Sequence, residues 1–185
     1  MKNAVTICGL ETIRPKPDHI IHADTFFDVA QTYKHDNPRD HYTILDARRF
    51  MENDDPLGSL WLALIDLSKK THLNVLNYAG HSSDEGLYVF SKYRNELEDC
   101  YRVINMDTVW NEIQFAEGAE IRLMGCQTGG QEGKKWPVCM AQDIANKTLV
   151  TVWAFTSKSA QKRRKDGHYI MVPDVAGYVK FTANA

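Results

Sequence analysis

A histidine and a cysteine 45 positions apart are the residues of this sequence best suited to covalent catalysis. His81 follows Gly80 in "NVLNYAGH", and Cys126 follows Gly125 in "AEIRLMGCQTGG". A thiol becomes a nucleophile when a neighbouring imidazole takes its proton, and the oxyanion formed on the substrate then needs backbone N–H donors. Glycines beside the thiol leave the backbone room to turn tightly and to approach a substrate. The pair therefore predicts acyl-transfer chemistry at a cysteine.

The order of these two residues narrows the class of cysteine hydrolase. Papain-like enzymes carry the cysteine early and the histidine far downstream, whereas caspases carry the histidine about 50 residues before the cysteine. Here His81 comes before Cys126. Order and spacing together favour the caspase-like arrangement.

Apolar strands lead into both residues, and the patterns around them alternate between strand and helix. We expect strands at 4–10, 42–47, 72–80, 86–92, 119–126 and 148–155, the fifth of them ending on Cys126. We expect helices at 59–70, 104–115 and 137–147, with Asp107 capping the second and Pro137 in the first turn of the third. Residues 15–41 are predicted to be irregular or weakly helical, and 82–85 to form a turn.

This alternation predicts an α/β fold with a mostly parallel central sheet flanked by helices, formed by one domain over residues 1–185. In such sheets ligands bind outside the carboxyl ends of the strands. If the strands before His81 and Cys126 are parallel neighbours, the two side chains emerge side by side.

Around the two residues the sequence resembles the caspase-like (clan CD) cysteine peptidases of bacterial type, a group that includes caspases, gingipains, clostripain, separase and the self-processing protease domains of large bacterial toxins. The resemblance covers 72–155 and includes "MAQDIANKTLVTVWAF", similar to the helix and strand that follow the nucleophile in bacterial members. It implies a three-layer caspase-like fold. It also implies that Cys126 is the nucleophile, that His81 assists it, and that a peptide bond in a protein substrate, or in the chain itself, is cleaved.

One position departs from the family. Members usually carry glycine after the histidine, and its N–H binds the oxyanion together with the N–H of the cysteine; this chain has Ser82 there. The resemblance implies oxyanion donors at Cys126 and at Ser82 or Ser83, because serine retains the N–H. A catalytically silent interaction or regulatory module is the alternative that Ser82 motivates. A thiol acyl-transferase or deamidase would use the same chemistry.

Composition limits the other classes of function. The formal net charge of −2 over 185 residues gives no overall attraction to nucleic acid or to a membrane surface. Four cysteines without C-x-x-C spacing favour reduced thiols and a cytoplasmic protein, although export without a signal segment is compatible with the same sequence. The remaining histidines are scattered, so neither a metal nor another cofactor is expected.

Several further residues have both a functional and a purely structural interpretation. Asp84 and Glu85 orient the imidazole, form a pocket for basic residues, or belong to a solvated turn. The basic residues either bind an anion or lie in a solvated loop: Lys134, Lys135 and the run 162–165. Three aromatic residues either line a substrate groove or pack the sheet: Trp136, Trp153 and Phe155. The other cysteines are expected to be small buried hydrophobes: Cys8, Cys100 and Cys139.

Overall fold

The computed structural model describes residues 1–10, 25–83, 86–90, 110–126, 128–130, 139–173 and 177–184. Its central sheet has six strands: β1 (Asn3–Cys8), β2 (His41–Asp46), β3 (Leu73–Ala79), β6 (Phe115–Leu123), β7 (Thr151–Ala154) and β10 (Val179–Phe181). Across the sheet their order is β10-β7-β6-β3-β1-β2. Every neighbouring pair is parallel except β10 and β7. The predicted α/β class with a mostly parallel sheet is confirmed.

Two small hairpins stand apart from this sheet. The first pairs β4 (His81–Ser83) with β5 (Gly86–Tyr88), and the second pairs β8 (Ser159–Arg163) with β9 (Tyr169–Pro173). The described helices are α1 (Thr25–Asp36), α2 (Pro56–Thr71) and α3 (Met140–Thr148), with short 3₁₀ turns at Ala47–Phe50 and Trp110–Glu112. None of these helices combines the length and the apolar character that crossing a membrane requires.

The core consists of two clusters that lie on opposite faces of the sheet. Consecutive strand residues point to opposite faces, and Tyr78 belongs to the larger cluster whereas Ala79 belongs to the smaller one. Leu64 of α2 and Ile144 of α3 pack in the larger cluster. Phe26 of α1 packs in the smaller cluster, together with residues from the carboxyl ends of the strands. The carboxyl ends of β3 and β6 therefore face α1.

Helix α2 shows how local sequence sets a boundary. The Asp55 side chain accepts a hydrogen bond of 2.9 Å from the Gly58 N–H, and Pro56 occupies the first turn, where its missing N–H costs nothing. The chain leaves the helix at His72, whose φ of 47° is in the left-handed region.

Removing this cap gives a prediction about stability. Asp55→Ala should lower the free energy of unfolding by about 1 kcal/mol, because the Gly58 N–H loses its acceptor. Urea denaturation measures the change. Asp54→Ala, on an exposed neighbour, is the matched control and should stay within about 0.5 kcal/mol of the unmodified protein.

Several predicted element boundaries are wrong. Residues 25–36, expected to be irregular or weakly helical, form the regular helix α1; its Thr, His and Asp residues have modest helix propensity, but Phe26, Val29 and Ala30 are buried on one side. Residues 82–83 are strand rather than turn, because they pair with β5. Residue 115 begins β6 instead of ending a helix.

Other differences concern strand and helix ends. Strand β6 ends at Leu123, three residues before Cys126, and α3 begins at Met140 because Cys139, which the predicted helix includes, is its N-cap. The sequence does not predict strand β8, which is largely polar, or strand β10, which has three residues; they depend on pairing with β9 and β7. The predicted roles of Asp107 and Pro137 lie outside the described residues.

Candidate functional site

His81 and Cys126 leave the sheet from neighbouring parallel strands at the same level. In the ladder between β3 and β6, Leu76 lies opposite Ile121 and Tyr78 opposite Leu123. That offset is the same 45 positions that separate His81 from Cys126. Each of the two residues therefore lies three positions beyond the last pair of this ladder, Tyr78 and Leu123, at the sheet edge where α/β proteins bind ligands.

A side-chain hydrogen bond joins the two segments beyond the strand ends. The Ser82 hydroxyl donates to the carbonyl oxygen of Cys126 at 2.9 Å. Gly125 makes this approach possible, because a Cβ at that position would overlap the Ser82 Oγ and lie 2.7 Å from the Ser82 Cβ. The residue after the histidine is thus in direct contact with the cysteine.

His81 is held from two sides. The Tyr78 hydroxyl donates to the His81 carbonyl oxygen at 2.6 Å. The imidazole packs against Phe26 of α1, with ring centroids 5.0 Å apart and ring planes at 87°. Such an edge-to-face contact is a favoured aromatic geometry, so α1 limits where the ring can point.

The Cys126 thiol contacts the first residue of β8. The Ser159 N–H donates to the sulfur at 3.4 Å, and the Ser159 carbonyl and hydroxyl oxygens each lie 3.6 Å from it. The same contact places Ser159 over part of a thiol that is half-buried.

The chain after Cys126 is anchored to the ends of two strands. The Thr128 hydroxyl donates to the Leu123 carbonyl at 3.2 Å, and the Gly129 N–H donates to the Phe155 carbonyl at 2.8 Å. Gly130 has a φ of 88°, which glycine adopts without strain. These contacts hold the turn close to the strand ends on either side of it.

The other described cysteines have different surroundings. Burial, with a smaller contribution from the Asp46 carboxylate, raises the pKa of the Cys8 thiol, which lies within the sheet. Cys139 is half-buried and packs against the larger core cluster just before α3. Both fit the predicted role of small hydrophobes, while Cys100 lies outside the described residues.

The other residues singled out from the sequence either take part in packing and ion pairs or lie outside the described residues. Phe155 is buried in the smaller core cluster, stacked on Tyr178, as sheet packing requires. Arg164 of the basic run pairs with Asp36 and Asp166 at 2.6 Å in each case. Five candidates fall outside the described residues: Asp84, Glu85, Lys134, Lys135 and Trp136. Within the described ranges, no three or more His, Cys, Asp or Glu side chains are grouped to hold a metal ion.

The sequence does not predict the contacts that three residues make with the site: Phe26, Tyr78 and Ser159. Tyr78 stands three positions before His81, so a Tyr-x-Gly-His pattern is the signal that could have identified it. Phe26 and Ser159 reach the site from distant segments, and no local pattern marks them.

Comparisons with protein-family models, with curated proteins and with solved structures gave no match for this chain. Function is therefore inferred from the chemistry and geometry of its own residues.

Proposed function

We propose that this protein is a cysteine endopeptidase with a three-layer caspase-like fold, in which His81 and Cys126 form the catalytic pair. The observation that carries the proposal is that both residues follow adjacent parallel strands, each three positions beyond the paired residues Tyr78 and Leu123, and that the Ser82–Cys126 hydrogen bond joins the two segments. The packing of α1 on one face of the sheet and of α2 and α3 on the other supports the layered arrangement.

The proposed reaction passes through an acyl-thioester. His81 accepts the thiol proton, and the sulfur of Cys126 forms a bond to the carbonyl carbon of the scissile peptide. Backbone N–H groups of Cys126 and Ser82 hold the resulting oxyanion. The C–N bond then breaks as His81 returns the proton to the leaving amine, and water attacks the thioester to release the acid and restore the thiol.

A covalent probe combined with a peptide library tests this function. Iodoacetamide should label Cys126 faster than Cys139 at pH 7, and the labelled protein should lose its cleavage of the library in proportion to labelling. Cys139→Ala is the matched control and should cleave normally. Equal labelling of the two thiols with no cleavage would refute the peptidase. Transfer of the acyl group to an amine, or deamidated glutamine in the products, would assign the same thiol to group transfer instead.

The second candidate is a catalytically silent interaction module, and the Ser159 contact favours it. A strand end that lies against the thiol occupies space that a substrate carbonyl would need. Ser159→Gly separates the two functions. A peptidase should become labelled at Cys126 at least as fast as the unmodified protein, since the side chain beside the thiol is smaller. A silent module should show no cleavage with either residue at position 159.

A further inference from the structure

The same local arrangement occurs at both residues of the pair. A glycine precedes each one, a hydroxyl occupies the space where that glycine would carry a Cβ, and the hydroxyl donates to the carbonyl of the following residue. At His81 the glycine is Gly80 and the hydroxyl is that of Tyr78, whose Cζ would lie 2.6 Å from an added Cβ. At Cys126 the same parts are Gly125 and the hydroxyl of Ser82.

These hydroxyls are committed to their backbone acceptors. A hydroxyl has a single O–H to donate, and the Ser82 O–H is used by the Cys126 carbonyl. It is therefore not available to an oxyanion on a substrate. What the Ser82 side chain does is fix the peptide plane that follows Cys126, and Tyr78 does the same after His81.

Fixing these planes matters because of the glycines. A glycine before each reactive residue gives the backbone more freedom than any other residue, and a thiol or imidazole displaced by about 1 Å loses a large part of its reactivity. The hydroxyls remove that freedom while leaving the backbone unobstructed by a Cβ. Ser82 acts from β4 on a residue 44 positions away, so it also fixes one segment relative to the other.

We infer that Ser82 and Tyr78 are positioning residues, which set the orientation of Cys126 and His81 through hydrogen bonds to their carbonyl oxygens. The catalytic consequence rests on the proposed function, whereas the effect on thiol reactivity does not. Ser82 then contributes a side-chain hydrogen bond that a glycine at the same position could not make.

A double-mutant cycle tests the packing between Ser82 and Gly125. Gly125 has a φ outside the left-handed region, so alanine is conformationally allowed there, and the Ser82 side chain is the closest obstacle to its Cβ. Gly125→Ala should lower Tm by about 5 °C or more. Ser82→Gly in the same chain should restore most of that loss, because the nearest remaining atom is the Gly80 carbonyl oxygen at 3.0 Å. If the two substitutions changed Tm additively, the proposed contact between the Ser82 side chain and Gly125 would be wrong.

The rate of Cys126 alkylation at pH 7 tests the positioning role of Ser82. Ser82→Ala should slow labelling of Cys126 at pH 7 by about three- to tenfold, the equivalent of one hydrogen bond, while labelling of Cys139 stays unchanged. Ser82→Thr retains the hydroxyl and should label within about twofold of the unmodified protein. With a cleaved peptide, Ser82→Ala and Tyr78→Phe should lower kcat and leave KM unchanged. Normal labelling and kcat in Ser82→Ala would overturn the inference.

The outcomes separate this inference from the proposed function. If the unmodified protein cleaves nothing but its Cys126 labelling depends on the residue-82 hydroxyl, the peptidase fails and the positioning role stands. If the protein cleaves peptides and Ser82→Ala behaves as the unmodified chain, the peptidase stands and the positioning role fails.

Discussion

Cys126→Ala is expected to abolish proteolysis, with kcat lowered by at least about 10³-fold, because no covalent intermediate can form without the nucleophile. Stability should change little. The thiol is half-buried, and its contact with Ser159 contributes at most about one hydrogen bond, so the free energy of unfolding should stay within about 1 kcal/mol. Initial rates on the best peptide of the library and urea denaturation measure the two effects.

Cys126→Ser makes this test sharper. Serine retains a polar group beside the Ser159 backbone, but its hydroxyl ionises far less readily than a thiol, so kcat should fall nearly as far as in Cys126→Ala. Cys139→Ala should retain full activity. Cleavage that survives both substitutions at position 126 would rule out this cysteine as the nucleophile.

His81→Asn is the second substitution with a large expected effect, lowering kcat by about 10²-fold or more through loss of the general base. It should also change the thiol directly. An imidazole that accepts the thiol proton makes the sulfur a better nucleophile, so its removal should slow alkylation of Cys126 at pH 7. Alkylation rates of the variant and of the unmodified protein at pH 7 measure the change.

His41→Asn is the matched control for that experiment. His41 is exposed at the start of β2, which is separated from β3 by β1. Its replacement should leave both kcat and the rate of Cys126 alkylation unchanged. An identical alkylation rate in His81→Asn and the unmodified protein would show that the imidazole does not act on the Cys126 thiol.

The elements predicted well are those whose own residues carry the signal. Strands β1, β2, β3 and β7 are short apolar, β-branched runs, and α2 has leucines at helical spacing behind a cap. Helix α1 has Phe26, Val29 and Ala30 at helical spacing, but residues of modest helix propensity surround them, and the helix forms because this side is buried. Strands β8 and β10 are five and three residues long, and their partner strands supply the hydrogen bonds.

For the candidate site, local sequence predicted that His81 and Cys126 each follow an apolar strand and that a glycine precedes each of them. The structure decided that these two strands are neighbours, and that their ladder has an offset equal to the spacing of the pair. Strand neighbours and register depend on packing across the whole sheet, which a short segment does not encode.

By itself, then, the sequence determined the α/β class, most central strands and the position of His81 and Cys126 shortly after two of those strands. Only the tertiary structure brought Phe26 to the His81 ring, Ser159 to the Cys126 thiol and the Ser82 hydroxyl to the Cys126 carbonyl. The physical reason is the distance along the chain over which each kind of interaction acts. Side-chain periodicity and β-branching act over a few residues, whereas these contacts join segments 33 to 55 positions apart, and their geometry exists once the sheet, α1 and the β8–β9 hairpin have packed together.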